Sequence, residues 1–398
     1  MFSSLKVRNF RLYWLGMFVS LIGTWVQYVA QSWLVFQLTN SAFLLGVVGF
    51  LSSIPVFLLS LFGGVVADRM NKKNVILFTQ SAFMFLAFLL AILTQMKVIT
   101  PSQIMLIALL NGVVMAFDAP ARQAVVVELA GKRHLLNAIA LSSAAFNSAR
   151  IIGPALAGII IAGIGMSGCF YVNGISFLAV IIAFLLIKID NGPRRGSAGF
   201  LRKDVIDGLK FIKDNRIILI LISMVGVTSL FGIPYVILMP VFANDVLHVG
   251  AKGLGALMSS TGFGAFIGAL ILARLGDFKY KGRLLIVSSL IFSVSLTLFS
   301  LSKIYLLSLI ALMVTGVASV TAVSLINTML QALVPDEFRG RTMSVFMLTF
   351  AGFMPFGNLL AGIVTHIWGA PLAVLAGGII CGAFFITLNI LYPDIKNI

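Results

Sequence analysis

The chain has 398 residues, 60% hydrophobic and 10% charged, with a formal net charge of +16. A soluble globular protein carries about 25% charged residues and 45–50% apolar ones, so in water this chain would expose apolar surface on every side. Its mean hydropathy of +1.10 and its basic residues, set in short breaks between apolar runs rather than along a solvated face, point to an integral membrane protein and exclude nucleic acid as a partner.

The opening stretch "MFSSLKVRNFRLYWLG" has the basic flank of a signal peptide. The apolar run behind it is too long and lacks a cleavage site, so it reads as the first membrane helix. Roughly 20 apolar residues cross about 30 Å of hydrocarbon. Twelve runs qualify: 11–38, 43–67, 74–96, 102–124, 135–164, 167–187, 216–243, 252–273, 284–302, 305–331, 340–368 and 371–391. The alternating segments of a membrane barrel are absent, which leaves helices as the spanning state. The one long polar stretch, "KIDNGPRRGSAGFLRKDVIDGLKFIKDNR" (188–216), opens as a linker. It then repeats apolar residues at helical spacing: Leu201, Val205, Ile206, Leu209 and Ile212. That pattern predicts an amphipathic helix on the membrane surface. The expected organisation is a six-helix bundle over 1–187, a linker over 188–215 and a second six-helix bundle over 216–398.

Lys and Arg divide unevenly between the loops. With the N-terminus in the cytoplasm, 24 fall on the inner side and three (Lys97, Lys252, Lys303) on the outer, leaving Arg150 within a span. The positive-inside rule then places both termini in the cytoplasm of the cell's inner membrane. Cys169 and Cys381 lie far apart in apolar segments and read as small buried hydrophobes, with no disulfide framework or metal cluster.

The halves repeat each other. "NAIALSSAAFNSARIIGPALAG" (137–158) aligns without gaps to "RTMSVFMLTFAGFMPFGNLLAG" (341–362), matching Gly153 to Gly357 and Gly158 to Gly362. "ADRMNKKN" corresponds to "GDFKYKGR" in the other half. Repeated bundles of this kind place a binding site near the bilayer midplane and work by alternating access.

"GGVVADRMNKK" resembles the signature loop of the major facilitator superfamily, with Gly64, Asp68, Arg69 and Lys73 in place, Lys72 for the expected Arg and Asn71 for the expected Gly. Asn71 is expected to supply the left-handed turn that a Gly would give. "RIIGPALAG" resembles the helix-5 antiporter signature in Gly153, Pro154 and Gly158, and "DAPARQAVVVEL" is similar to the bacterial exporter branch that holds the enterobactin exporter and macrolide-efflux proteins. The resemblance implies an all-α fold of twelve membrane helices in two pseudo-twofold-related bundles. It implies secondary transport without a cofactor: export of a small amphiphilic compound, drug or siderophore-like, by proton antiport from a monomer. Uptake or facilitated passage of another cargo, such as a lipid or an organic anion, is the alternative.

The resemblance gives Asp68 a gating role, facing the start of helix 11 where Arg339 and Arg341 lie; a plain positive-inside turn accounts for the basic residues alone. Arg150 costs about 2.5–3.5 kcal/mol on a lipid face at mid-helix. It therefore serves either as counter-charge to an anionic substrate or carboxylate, or as a structural tie to carbonyls and Asn147. Asp118 is either a protonatable coupling group paired with Arg150 or Arg122, the latter at i+4 spacing, or an N-cap restarting a helix at Pro120. Gly264 and Gly268 read as ordinary close crossings. Cavity candidates on helices 1, 4, 7 and 10 are Trp25, Gln27, Tyr28, Gln31, Asn111, Tyr235, Asn327 and Gln331. His366 sits at a membrane boundary. "GIGMSG" (163–168) lies between two membrane helices with no strand before it, which removes its dinucleotide meaning. With no P-loop, histidine cluster or nucleophile elbow in the sequence, an enzyme is not expected.

Overall fold

Apolar runs of membrane length fold as helices because lipid offers no partner for backbone N–H and C=O groups. The computed structural model describes residues 3–187, 210–276, 278–393 and 396. A short 3-10 turn, Ser3–Lys6, precedes α1 (Arg8–Thr39), α2 (Ala42–Arg69) and α3 (Lys72–Gln95). A helical stretch Pro101–Leu186 follows, broken where Gly131 (φ 69°) and Gly165 (φ 81°) leave helical geometry. A side chain rarely tolerates such φ values, and the two breaks divide the stretch into α4 (101–130), α5 (132–164) and α6 (166–186). Next come α7 (Arg216–Val246), α8 (Gly250–Leu275), α9 (Lys281–Leu301), α10 (Tyr305–Leu333), α11 (Asp336–Trp368) and α12 (Ala370–Leu391). Every expected span falls on a helix, and the ends lie within four residues of their expected places except that of α4, which runs six residues further. Caps fix several starts: Thr100 and Gln103 form a reciprocal capping box ahead of Pro101, satisfying backbone donors that a helix start leaves bare.

The chain divides into two compact units. Unit 1 comprises Met1–Asn40, Leu51–Ala198 and Gly250–Ser259; unit 2 comprises Ser41–Phe50, Gly199–Val249 and Ser260–Ile398. Relative to a division at the linker, two segments change sides: the first turns of α2 belong with unit 2, and those of α8 with unit 1. Matched glycines explain both. In unit 1 a Cβ on Gly158 would stand 3.0 Å from Ala251 O, and in unit 2 a Cβ on Gly362 would stand 2.9 Å from Gly46 Cα. Small residues let membrane helices approach backbone to backbone, and the sequence repeat pairs these same two positions.

Unit 1 holds an apolar cluster of Phe10, Tyr13, Ile76, Val125, Phe184 and their neighbours, drawn from all six of its helices α1–α6. In unit 2, Ser295 on α9 and Thr315 on α10 share a hydrogen bond of 2.9 Å. Residues 188–209 lie outside the described residues, and with them Leu201, Val205, Ile206 and Leu209 of the expected surface helix. Residues 210–214 are helical. There Ile212 is 3% exposed and the Phe211 ring stacks on Phe338 with centroids 4.3 Å apart.

Candidate functional site

In unit 1, Asp118 is fully buried on α4. Its Oδ2 lies 2.6 Å from Arg122 Nε, one helical turn on, an ion pair without good hydrogen-bond alignment. Its Oδ1 accepts from Gln80 Nε2 at 2.9 Å and from the Thr79 hydroxyl at 2.7 Å. That hydroxyl also lies 3.0 Å from Ile76 O, but it has one proton, and the nearer, charged acceptor takes it. The helix runs unbroken through Asp118 and Pro120, so the N-cap expectation is wrong. Pro120 is tolerated inside α4, and Asp118 is held by side chains rather than by capping. The partner among the two proposed arginines is Arg122. Thr79 and Gln80 escaped the sequence reading, although a lone amide in the apolar run of α3 was a usable signal.

Arg150 sits mid-way along α5, half-buried, with no hydrogen bond or ion pair seen among the described residues. Asn147 does not tie it down, since its amide donates to Ser143 O at 2.9 Å on its own helix. Pro154 brings no N–H to the Arg150 carbonyl one turn back, and the Ser259 hydroxyl donates to the neighbouring Ile151 O at 2.7 Å. Gly153 serves the crossing with α1, where a Cβ would stand 2.4 Å from Trp25 Cβ.

Asn71 in the signature loop has φ −67° and ψ 113°, and its side chain accepts from Lys73 N as the N-cap of α3. The left-handed turn expected of it is absent, because an extended N-cap already reverses the chain there. Lys72 pairs with Glu128 on α4, and Lys73 Nζ donates to Ile187 O at 2.8 Å. Asp68 and Arg69 are exposed at the end of α2, and Gly64 has open space beside its Cα. In unit 2, Arg339 pairs with Asp336 on its own helix at 2.5 Å, and Arg341 lies over the Phe338 ring at 5.6 Å.

The cavity candidates separate. Gln27 is buried and accepts from Asn173 Nδ2 of α6 at 2.7 Å, so it serves the interior of unit 1. Trp25 is half-buried, edge-on to Tyr28 at 5.7 Å and to Phe146 at 6.0 Å. Gln31, Asn111 and Asn327 are half-buried, and Gln331 is exposed with its amide donating to Asn327. Tyr235 is buried beside Phe299 in unit 2. His366 lies beside the Phe43 ring at 6.5 Å.

Helices of membrane length carrying a buried acid–arginine pair, in two units with matching internal crossings, define a multi-pass membrane transporter of the major facilitator type. The chain belongs to the transmembrane secretion effector family, which it matches over residues 1–397. It is 29% identical to the staphyloferrin A transporter of Staphylococcus aureus, covering 88% of each chain. It is 22% identical to the multidrug efflux pump Tap of Mycolicibacterium fortuitum (89% and 87% covered) and 25% identical to the enterobactin exporter EntS of Shigella boydii (83% and 79% covered). Among solved structures, a bacterial homologue of the human lysosomal transporter Spinster superposes with a TM-score of 0.77 at 13% identity, over 98% of both chains. The nucleoside transporter NupG superposes with a TM-score of 0.77 at 14% identity, over 96% of this chain and 99% of its own. The protein is a membrane transporter, not an enzyme.

Proposed function

We propose that the protein exports a small amphiphilic compound, drug or siderophore-like, by alternating access coupled to proton antiport, without a cofactor. The observation that carries this reading is the set of relatives: a siderophore transporter, an efflux pump and an exporter each match over at least 83% of this chain. In this reading the guanidinium of Arg150, without a partner among the described residues, answers an anionic group on the cargo or a titrating carboxylate. Asp118, paired with Arg122, is the coupling carboxylate, and Asp68 gates the signature loop. The protein works as a monomer in the inner membrane. Both termini lie in the cytoplasm, an orientation that the 24-to-3 split of Lys and Arg supports.

The test is flux in proteoliposomes under an imposed pH gradient, with ethidium and a carboxylate siderophore as probes. Gradient-driven movement that Arg150→Ala abolishes, with folding intact, is the expected result. Movement of either probe that ignores the pH gradient sinks the antiport reading. It would favour facilitated passage or uptake of an organic anion, for which Arg150 also supplies the counter-charge.

A further inference from the structure

Helix α7 leaves α geometry in mid-membrane: Thr228–Gly232 is a π turn and Ile233–Leu238 a 3-10 stretch. Pro234 accounts for the break, since it has no N–H for Leu230 O one α turn back or for Ser229 O one π turn back. Irregular backbone survives at this depth only where protein covers it or where it lines a water-filled cavity. A Cβ on Gly357 of α11 would stand 2.7 Å from Leu230 O and 2.9 Å from Ser229 O, and one on Gly377 of α12 only 2.3 Å from Phe231 O. Two glycines thus lay their Cα–H groups against the carbonyls around the break, a weak but recurrent contact between membrane helices.

The break also turns one hydroxyl away from its helix. Thr228 donates to Met224 O at 2.7 Å, Ser289 to Leu285 O at 2.8 Å and Ser319 to Gly316 O at 3.1 Å. Ser229 is fully buried, and its Oγ has no hydrogen-bond partner among the described residues. These four hydroxyls, with Met224 and Phe292, line one pocket of about 10 Å³ inside unit 2. That is room for one water.

The geometry points to a built site for a single water molecule in this pocket, an assignment independent of cargo and coupling. The water accepts the Ser229 proton. It donates both of its own to the hydroxyl oxygens of two neighbours, whose protons are committed to their own helices. The result is three hydrogen bonds, the usual number for a buried water, and a partner for the group that the π turn leaves bare. A monovalent cation would meet the same lone pairs. However, the pocket's lining contains no acid, and an uncompensated charge at membrane depth is costly. The water is therefore a structural part of the broken helix.

Radiolytic hydroxyl labelling of the intact protein in lipid nanodiscs tests this, because the radicals form from water and mark a buried side chain only where water touches it. Met224 on α7 and Phe292 on α9, both 2% exposed, should label severalfold faster than Met239 and Phe242 of α7, which are equally buried (1% and 0% exposed) and do not line the pocket. Ser229→Ala, which removes the free hydroxyl, and Ala322→Val, which fills the space, should each bring Met224 down to the rate of Met239. Equal labelling of Met224 and Met239 in the wild type overturns the assignment without recourse to any variant. Repeating the measurement in choline chloride and then sodium chloride separates the occupants. Lower labelling of Met224 together with a higher melting temperature in sodium would mean a cation, and the water would be wrong.

Discussion

Breaking the Asp118–Arg122 pair from its two ends should have unequal consequences. Arg122→Met removes the only cation seen among the described residues beside a carboxylate that is fully buried. It leaves Asp118 with the Thr79 and Gln80 hydrogen bonds alone. Removing one partner of a buried ion pair costs about 3–5 kcal/mol, because the other charge stays stranded. Asp118→Asn instead strands a guanidinium whose side chain is 19% exposed and on a long stem that reaches toward a wetter place. The neutral amide keeps an acceptor for Thr79 and Gln80, and the expected loss is about 1–3 kcal/mol, the cost of an imperfectly met polar group. The double variant Asp118→Leu/Arg122→Met, which leaves no charge behind, should recover most of the Arg122→Met loss. Thermal melting of the purified protein, followed by intrinsic fluorescence and size-exclusion recovery, gives the order directly. If Arg122→Met melts no lower than Asp118→Asn, or the double variant is worse than either single, the pair is not a buried charge cluster and the reasoning fails.

Three further outcomes follow from packing. Gly264→Ala drives a Cβ to 1.9 Å from Met313 O across the α8–α10 crossing, and overpacking of that kind costs about 1–3 kcal/mol or more; an unchanged melting temperature would show that the crossing yields. Gly340→Ala, in α11 with nothing within 4 Å of the new methyl, should stabilise by up to about 1 kcal/mol through helix propensity alone, and a lower melting temperature would contradict it. Asn173→Leu removes the donor to Gln27 in the interior of unit 1. Hydrogen bonds between membrane helices are worth about 0.6 kcal/mol on average and about 1.7 at most. A loss well beyond that range in the melting assay would mean that Gln27 does more than join α1 to α6.

The spans were legible because hydropathy is a local sum: a run of apolar residues identifies its own solvent, and lipid then leaves the backbone only one way to satisfy itself. The glycine repeat was legible for a related reason, since Gly158 and Gly362 do one job twice at backbone–backbone crossings. The i, i+4 spacing of Asp118 and Arg122 made their pair one of the readings the sequence allowed, and the structure chose it over Arg150 and over an N-cap. The partners that complete the site were not legible. Thr79 and Gln80 lie 39 and 38 residues from Asp118, and Asn173 lies 146 residues from Gln27. Which face of one helix meets which face of another is a property of packing, and no local pattern encodes it. Asn71 was misjudged because the sequence motif specifies a turn, while the backbone that makes the turn is set by the cap it finds. In α7, Pro234 marked a disturbance in the sequence. Only the packed helices decided that its cost would be met by a π turn, two facing glycines and a pocket the size of one water, because the neighbours determine which unpaired backbone groups can be covered.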